Sequence, residues 1–342
     1  MAIIIDGKEL AFDPPGPGSW RIDNVHVPRP WSRFQGEMHG GNVWIGAGES
    51  ARRYGALSGR GYFGFVHGFG YGQFNPAPAE EWPARFAAAE ETFATKRWRA
   101  DLARWENETK PATIRAQFAL QSIDPAPLDD ARLAQHLAAC HRNLELMVQQ
   151  HHQFNMPATL PIGDLIAHLR SWTDQPLGGF LALVRGNAPE SAGSYAELSQ
   201  LAAAIRATPA ARAMLADGDP GEALARLRAA GGAVGPATAA YLDLVGYRLL
   251  DSLDTGDLYA LEVPEVLVKA IRLAVDTNAP APAHASAEEE ARVRDMLPAA
   301  HRDTFLELLA EARHNSRLRD ERGLYSDVWA AGICRRAVAR GV

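Results

Sequence analysis

Hydrophobic positions divide the chain into two parts with different periodicities. From Ala77 onward, apolar residues recur at steps of three and four positions among alanine, leucine, arginine and glutamate. This spacing places apolar side chains on one face of a helix, so it predicts amphipathic helices over most of the remaining chain. Long helical stretches are predicted at 82–108, 128–152 and 304–340. The fold class predicted from this pattern is mainly α.

Residues 1–76 follow another pattern. Short apolar runs at 3–5 and 9–12 flank Asp6-Gly7, a dipeptide that favours the positive φ angles of a type I′ turn, and they predict a β-hairpin. Residues 20–76 are rich in glycine, proline and aromatic residues, which argues against long helices there. Residues 59–74 are expected to form either a loop or a strand pair against the helices. We therefore expect a small N-terminal β-containing, glycine- and aromatic-rich segment.

Two domains are predicted on this basis. The first comprises the hairpin and the glycine- and aromatic-rich segment at 1–76, and the second is a helical domain at 77–342. The chain of 342 residues is longer than a single core usually supports, which agrees with such a division. Near 277–285, Pro280 and Pro282 interrupt a run of small residues, and this stretch is expected to be a surface linker.

Charge and composition exclude several classes of partner. The formal net charge is −6, so no basic field would attract nucleic acid or an anionic membrane surface. No stretch approaches the ~20 apolar residues that span a bilayer, and the N-terminus lacks a signal-peptide pattern. The two cysteines, Cys140 and Cys334, provide neither a disulfide framework nor a CxxC metal motif. We expect a cytoplasmic protein without a nucleic-acid or membrane partner.

Nucleotide-binding loops are the first candidate for chemistry, and none is convincing. The chain contains no GxxxxGK[ST] motif. Residues 59–64, GRGYFG, satisfy GxGxxG in letters, but more glycines and aromatic residues follow them where a helix would be required. The same segment concentrates aromatic rings, which either pack against the helices or form the wall of a ligand pocket, two interpretations of about equal weight.

The predicted helix at 128–152 places His141, Glu145 and His152 on one face. Such a stripe is more typical of a solvated face than of a metal site, because further ligands from other helices are not identifiable. No metal is therefore expected. His151 and His152 remain candidate general bases, since they lie at the end of a helix and helix ends commonly line pockets.

A charged segment near the C-terminus contains two arginines one helical turn apart. Arg319 and Arg322 can direct their guanidinium groups to one anion from a single helix face, and phosphate is a suitable ligand for such a pair. The alternative is that both arginines form surface ion pairs with Asp320 and Glu321, which contribute little. Spacing alone favours this alternative.

Three stretches resemble the substrate-binding region of enzymes related to phosphoenolpyruvate synthase and pyruvate phosphate dikinase. They are residues 20–34, WRIDNVHVPRPWSRF; residues 241–248, YLDLVGYR; and residues 319–336, which begin RDERG. The stretches occur in the order found in this phosphoenolpyruvate-utilising family and span nearly the whole chain. Their layout resembles that of rifampicin phosphotransferase and of the larger subunit of phenylphosphate synthase.

The resemblance implies a function shared among several parts. Members of the family combine an ATP-grasp domain, a swivelling domain with a phosphorylated histidine, and a mostly helical domain that holds the acceptor. This chain lacks the phosphohistidine signature Gly-Gly-x-x-Ser/Thr-His and a recognisable ATP-grasp. The resemblance therefore implies the acceptor-binding subunit of a multicomponent phosphotransferase, whose substrate is a small alcohol or phenol. The implied partners are an ATP-grasp subunit, which would bind ATP and Mg²⁺, and a phosphohistidine-bearing subunit; no cofactor is expected on this chain.

The resemblance also implies residue roles. Arg319 aligns with a phosphate-contacting arginine of the family, and Arg322 lies near the position of a second basic residue. A base would have to activate the acceptor hydroxyl, and His152, His67 and Asp327 are the candidates in that order. Aromatic rings and one arginine are expected to bind the substrate, namely Tyr62, Phe63, Phe65, Phe69, Tyr71 and Arg248.

Two further functions remain open from the sequence. In the first, the chain is a non-catalytic module that binds a small hydrophobic molecule, and its arginines are structural. In the second, it is a helical metallohydrolase built on His141, Glu145 and His152. Arg29 and Arg33 are expected either to contact the incoming phosphohistidine domain or to be surface charges.

Overall fold

The computed structural model describes residues 2–11, 13–174, 183–184, 195–216, 218–251, 253–277 and 285–341. These residues are mainly α-helical with a small β-containing N-terminal part, which confirms the predicted fold class. No helix among them is long and apolar enough to cross a membrane. The predicted linker near 277–285 lies, except for its two ends, outside the described residues.

Helices account for most of the described chain. In chain order they are α1 (Arg33–Tyr54), α2 (Trp82–Thr95), α3 (Trp98–Arg104), α4 (Lys110–Gln121), α5 (Asp130–Gln153), α6 (Asn155–Trp172), α7 (Tyr195–Arg206), α8 (Pro209–Met214), α9 (Pro220–Ala229), α10 (Val234–Val245), α11 (Pro264–Thr277), α12 (Ala285–Met296), α13 (Arg302–Tyr325) and α14 (Asp327–Gly341). A π-helical turn, Trp105–Thr109, joins α3 to α4.

Two small antiparallel sheets lie in the N-terminal part. Strands β1 (Ala2–Ile5) and β2 (Lys8–Ala11) form the predicted hairpin, and both turn residues, Asp6 and Gly7, have positive φ angles of 50° and 74°. The second sheet has the strand order β3 (Arg21–Ile22), β5 (Phe69–Pro76), β4 (Ser58–Val66). The segment at 59–74 is thus a strand pair, one of the two conformations that its sequence allowed.

A helix of 22 residues, α1, lies within residues 20–76, so the expectation of no long helix there is wrong. Its glycines lie where other elements approach closely. A Cβ atom on Gly36 would lie 3.0 Å from the ring of Phe65 on β4, and one on Gly46 would lie 2.0 Å from the Gln149 carbonyl oxygen on α5. Tertiary packing on both sides therefore stabilises a helix whose glycines disfavour it locally.

The predicted helix at 128–152 corresponds to α5, whereas the other two long helices are divided. The stretch 82–108 is interrupted at Lys96, which has a φ of 48°, and the stretch 304–340 is interrupted at Ser326. Lys96 is held from other helices, because its Nζ lies 3.1 Å from Glu311 Oε2 and 3.4 Å from Asp164 Oδ2. The local helical period of the sequence does not indicate such long-range contacts, so it could not predict this interruption.

Two hydrophobic clusters hold the helices together. The larger one contains the fully buried side chains of Trp105, Leu144 and Trp329, from the π-helical turn, α5 and α14. The smaller one joins α6, α12 and α13, where Leu165, Phe305 and further aliphatic residues are buried. Helix α1 packs against α5, and the side chain of Met38 belongs to the larger cluster. The predicted boundary between residues 76 and 77 stays a prediction.

We predict that the contact between α1 and α5 tolerates no added atom at Gly46. Gly46→Ala should lower the free energy of unfolding by about 1–3 kcal/mol, because the new methyl group would meet backbone that cannot rotate away. Gly41→Ala is the matched control in the same helix, since a Cβ there meets nothing within 4 Å. It should raise the free energy of unfolding by about 0.5–1 kcal/mol, through helix propensity alone. Urea unfolding measures both, and equal effects would contradict the close packing.

Candidate functional site

Four helices converge on a cluster of ionisable side chains, which we call the His–Arg cluster. It consists of His39 from α1, His151 and His152 at the end of α5, Arg322 from α13 and Asp327 at the start of α14. Ring contacts connect its histidines: His151 and His152 are stacked with their centroids 4.7 Å apart, and His39 meets His152 edge-to-face with their centroids 6.3 Å apart.

The interruption at Ser326 places Asp327 in this cluster. Two amide side chains from neighbouring helices hold the interruption in place. Gln117 donates from Nε2 to the carbonyl oxygens of Tyr325 and Ser326, at 3.3 and 2.9 Å, and Gln150 donates to Ser326 Oγ at 3.2 Å. The Ser326 carbonyl oxygen also accepts the backbone N–H of Ala330 at 3.0 Å, so α14 begins directly at the interruption, and the two glutamines supply further donors there.

Asp327 forms a buried pair with His151. Its Oδ1 lies 2.9 Å from His151 Nδ1 and also accepts a hydrogen bond from the backbone N–H of Val328 at 3.1 Å. Burial raises the pKa of Asp327, but the positive charge and hydrogen bond of His151 outweigh this effect, and the net pKa is lowered. The ionised carboxylate accepts the Nδ1 proton of His151, so the unprotonated nitrogen of the neutral ring is Nε2.

The other two imidazoles of the cluster are kept neutral. Burial lowers the pKa of His39 to about 4 and that of His152 to about 3. His152 Nδ1 donates to the Val148 carbonyl oxygen at 2.8 Å, within its own helix. Burial and this backbone hydrogen bond make His152, the first-ranked sequence candidate for the base, a weak proton acceptor at neutral pH.

The arginine pair lies on the last turns of α13. Arg322 donates from Nη1 to the carbonyl oxygen of His151 at 3.0 Å, while its buried Nε has no partner among the described residues. Burial lowers the pKa of Arg322 to about 10, which still leaves it charged at neutral pH. Arg319, one turn earlier, is exposed. Of the two arginines, one is thus anchored beside His151 and the other extends to solvent.

A groove between α1 and β4, which we call the α1–β4 groove, contains most of the predicted aromatic residues. It comprises two adjoining cavities of about 790 and 610 Å³ that share Gly40, Gly41 and Phe63. Trp44 and Tyr62 line the larger cavity; Phe65 and His67 line the smaller one. Charged side chains, among them Arg33, Glu49 and Arg52, also line the groove, so it is suited to a flat ligand that carries polar groups.

The groove and the His–Arg cluster are separate features. Groove-lining positions of α1, such as Gly41 and Ile45, lie on one helix face, and buried positions such as Asn42 and Gly46 face α5. Ring contacts through His39 connect the two regions, since the centroid of the His39 ring lies 6.2 Å from that of Phe63 and 6.3 Å from that of His152. The structure therefore does not bring His67 into the group formed by Arg322 and Asp327.

The remaining predicted substrate residues are placed differently. Phe69 is half-buried and Tyr71 is buried in β5, and neither is among the residues that line the described groove cavities. Arg248 is only 7% exposed and packs against the ring of Tyr325, with 5.7 Å between its Cζ and the ring centroid. Burial lowers the pKa of Arg248 to about 10, and its Nε and Nη2 have no partner among the described residues.

Arg29 and Arg33, the predicted contacts for a partner domain, have different surroundings. Arg29 forms ion pairs with Asp251 and Asp257 and so joins the N-terminal part to the loop after α10. Arg33 is 91% exposed, pairs with Glu37 on the next turn and lines the smaller groove cavity. Of the two, Arg33 is the more accessible to a partner.

The residues of the metallohydrolase hypothesis do not form a ligand set in the described structure. His141 Nδ1 lies 3.8 Å from Glu145 Oε2, and His152 is hydrogen-bonded to the backbone of α5. Within the described ranges, no group of three or more histidine, cysteine, aspartate or glutamate side chains is arranged to hold a metal ion.

Comparison with known proteins identifies the family. Residues 150–339 match the family model of the rifampicin phosphotransferase fourth domain, over more than half of the chain. The chain belongs to this family. No curated protein and no solved structure matches it. Membership in the fourth-domain family relates the chain to phosphotransferases and supports the expected relationship to phosphoenolpyruvate-utilising enzymes.

The match to the fourth-domain family covers most of the His–Arg cluster and none of the α1–β4 groove. His151, Arg319, Arg322 and Asp327 lie within the matched residues, whereas the residues that line the α1–β4 groove lie outside them. The sequence did not predict a role for His39 or Gln117. His39 follows Gln35 by four residues, so both lie on the buried face of α1, but the sequence did not predict this helix.

We predict that Gln117 is required for the helix interruption. Gln117→Leu removes the donor to two buried carbonyl groups, and we expect it to lower the free energy of unfolding by about 1–3 kcal/mol. Asn107→Ala is the control, because Asn107 also donates to a backbone carbonyl but is exposed, and it should cost less than about 0.5 kcal/mol. Chemical denaturation measures both, and similar losses for the two variants would contradict the assigned role of Gln117.

Proposed function

We propose that the chain is the acceptor-binding part of a phosphotransferase, which receives a phosphoryl group from a phosphohistidine on a partner chain. Membership in the fourth-domain family supports a phosphotransferase. The observation that carries the proposal is the position of Arg322 beside the His151–Asp327 pair, with Arg319 exposed one turn earlier. These groups place positive charge and a proton acceptor on one surface, within the matched residues.

Phosphoryl transfer requires mainly positioning and neutralisation of charge on the transferred oxygens. In the proposed complex, exposed Arg319 contacts the incoming phosphoryl group, and Arg322 adds positive charge from a fixed position. A phosphohistidine-bearing subunit would deliver the group, and an ATP-grasp subunit, with ATP and Mg²⁺, would phosphorylate that subunit. The acceptor is a small alcohol or phenol.

The α1–β4 groove supports a second candidate function, a non-catalytic module that binds a small hydrophobic molecule. The supporting observation is its combined aromatic lining and volume, on the face of α1 opposite to the His–Arg cluster. The role of Tyr62, Phe63 and Phe65 as acceptor-binding residues stays a prediction. The Gly41→Phe variant tests whether the acceptor occupies this groove.

The proposed partners can be tested by purification of the tagged full chain from its native cells at low salt, followed by mass spectrometry. We expect a co-purifying chain with the signature Gly-Gly-x-x-Ser/Thr-His, and another with an ATP-grasp. Reconstitution of these chains with ATP, Mg²⁺ and a panel of phenols and alcohols should produce a phosphate monoester, observed by ³¹P NMR. If no such chain co-purifies and the groove binds a small molecule, the binding module is the better explanation.

Arg319→Ala should reduce transfer in the reconstituted system by about 10²- to 10³-fold, because a charged donor to the transferred group is lost. The affinity for the acceptor should remain nearly unchanged, since Arg319 contacts only the phosphoryl group in this proposal. Arg226→Ala is the control, because Arg226 forms an exposed ion pair on α9 within the matched residues. A loss of acceptor binding in Arg319→Ala would instead make Arg319 a substrate or folding residue.

Gly41→Phe tests whether the groove holds the acceptor. Gly41 lines both cavities and a Cβ there meets no neighbour, so a phenyl group can fill the groove without disturbing the backbone. If the predicted aromatic residues bind the acceptor, KM for the phosphorylated compound should rise at least about tenfold, as expected for lost apolar burial of about 1.4 kcal/mol or more. An unchanged KM would assign the groove to another ligand and leave the proposed transfer site in place.

A further inference from the structure

One of the three adjacent imidazoles differs from the others in its surroundings. His151 pairs with a buried carboxylate and is still 21% exposed at its side chain, and no described residue hydrogen-bonds to its Nε2. His39 is buried without a carboxylate partner, and His152 is tied to the backbone of its own helix. Only His151 therefore combines an orienting partner with access to a ligand.

The neighbouring helix leaves space beside this ring. Gly323, one residue after Arg322, has no side chain, and even a Cβ there would make only ordinary contact with His151 Cε1, at 3.5 Å. Arg322 donates to the carbonyl oxygen of His151 itself, so its guanidinium is held next to the residue that bears the ring. A group bound by Arg322 would therefore lie close to His151.

We propose that His151 is the general base of this site and that Asp327 is its positioning residue. This inference rests on the proposed function and names the atom that activates the acceptor. Asp327 holds the proton on Nδ1 and directs the lone pair of Nε2 toward the acceptor hydroxyl. The N-terminus of α14, where Asp327 lies, further stabilises the negative carboxylate.

The proposed step transfers a proton to His151 and a phosphoryl group to the acceptor. Nε2 of His151 takes the proton of the acceptor hydroxyl while the hydroxyl oxygen forms a bond to phosphorus. The nitrogen–phosphorus bond of the partner's phosphohistidine breaks, and its electron pair returns to that imidazole nitrogen, which takes a proton from water. His151 then releases its proton to water. The products are a phosphate monoester and an unphosphorylated histidine on the partner chain.

The tautomer of His151 can be measured in the full chain without any ligand. In histidine-labelled protein, ¹⁵N NMR above the titration range should show neutral His151 with a proton on Nδ1 and a bare Nε2. Asp327→Asn should shift a large part of the population to the Nε2–H tautomer, because an amide can donate to Nδ1. Glu145→Gln is the matched control, since Glu145 lies near His141 on the same helix, and it should leave the His151 tautomer unchanged.

A second measurement tests the base role itself. In the reconstituted system, His151→Asn should lower kcat by about 10²- to 10⁴-fold with little change in KM, whereas His141→Asn should retain wild-type kcat. Asp327→Asn should lower kcat as well and change its dependence on pH, an effect that a purely structural residue would not produce. Circular dichroism of each variant confirms that it is folded.

The outcomes separate this inference from the proposed function. An Nε2–H tautomer in the wild-type protein would overturn the pairing geometry, whatever reaction the chain performs. Near-normal transfer by folded His151→Asn would overturn the base role and leave the phosphotransferase standing. Absence of any phosphate monoester with the wild-type chain and its partners would refute the proposed function, and with it the role of His151 as the base of that reaction.

Discussion

The interruption between α13 and α14 at Ser326 is the constraint on which the candidate site depends. An α-helix turns by about 100° per residue. In an uninterrupted helix, the direction of the Asp327 side chain relative to that of Arg322 would therefore be fixed by the five-residue separation alone. The break allows Asp327 to start a new helix and its carboxylate to meet His151 at 2.9 Å. Gln117 on α4 and Gln150 on α5 donate to polar atoms of Tyr325 and Ser326 at the break, so two amide side chains help to hold Asp327 in its pair with His151.

Close packing of α1 supplies the second condition. Because Gly46 lets α1 approach the backbone of α5, His39 comes within ring contact of His152 and helps to cover the His–Arg cluster. The opposite face of the same helix forms the α1–β4 groove with β4. One glycine-rich helix therefore separates two regions that could bind ligands. The family match includes His151, His152, Arg322 and Asp327 but neither His39 nor any residue that lines the groove, so it gives no information on what the groove binds.

Differences in burial give the side chains of the His–Arg cluster different acid–base properties. Histidines of similar intrinsic basicity become different groups, since burial holds His39 and His152 neutral while Asp327 gives His151 a counter-ion. The two arginines differ in the same way: Arg322 is anchored and largely desolvated, whereas Arg319 is exposed at the surface. A buried, oriented pair beside an exposed cation is suited to a reaction in which a charged group arrives from another chain.

The sequence by itself determined the features that depend on neighbouring residues. These are the hairpin around Asp6-Gly7, the amphipathic period of the helical part, and the spacing of Arg319 and Arg322 by one turn. Tertiary structure decided the existence of α1, the interruptions at Lys96 and Ser326, and the pairing of Asp327 with His151. The physical reason is that a local pattern records propensity and amphipathicity. Close approach at a glycine, satisfaction of a carbonyl group by a distant glutamine, and burial of one imidazole next to another all arise from contacts between residues far apart in the chain.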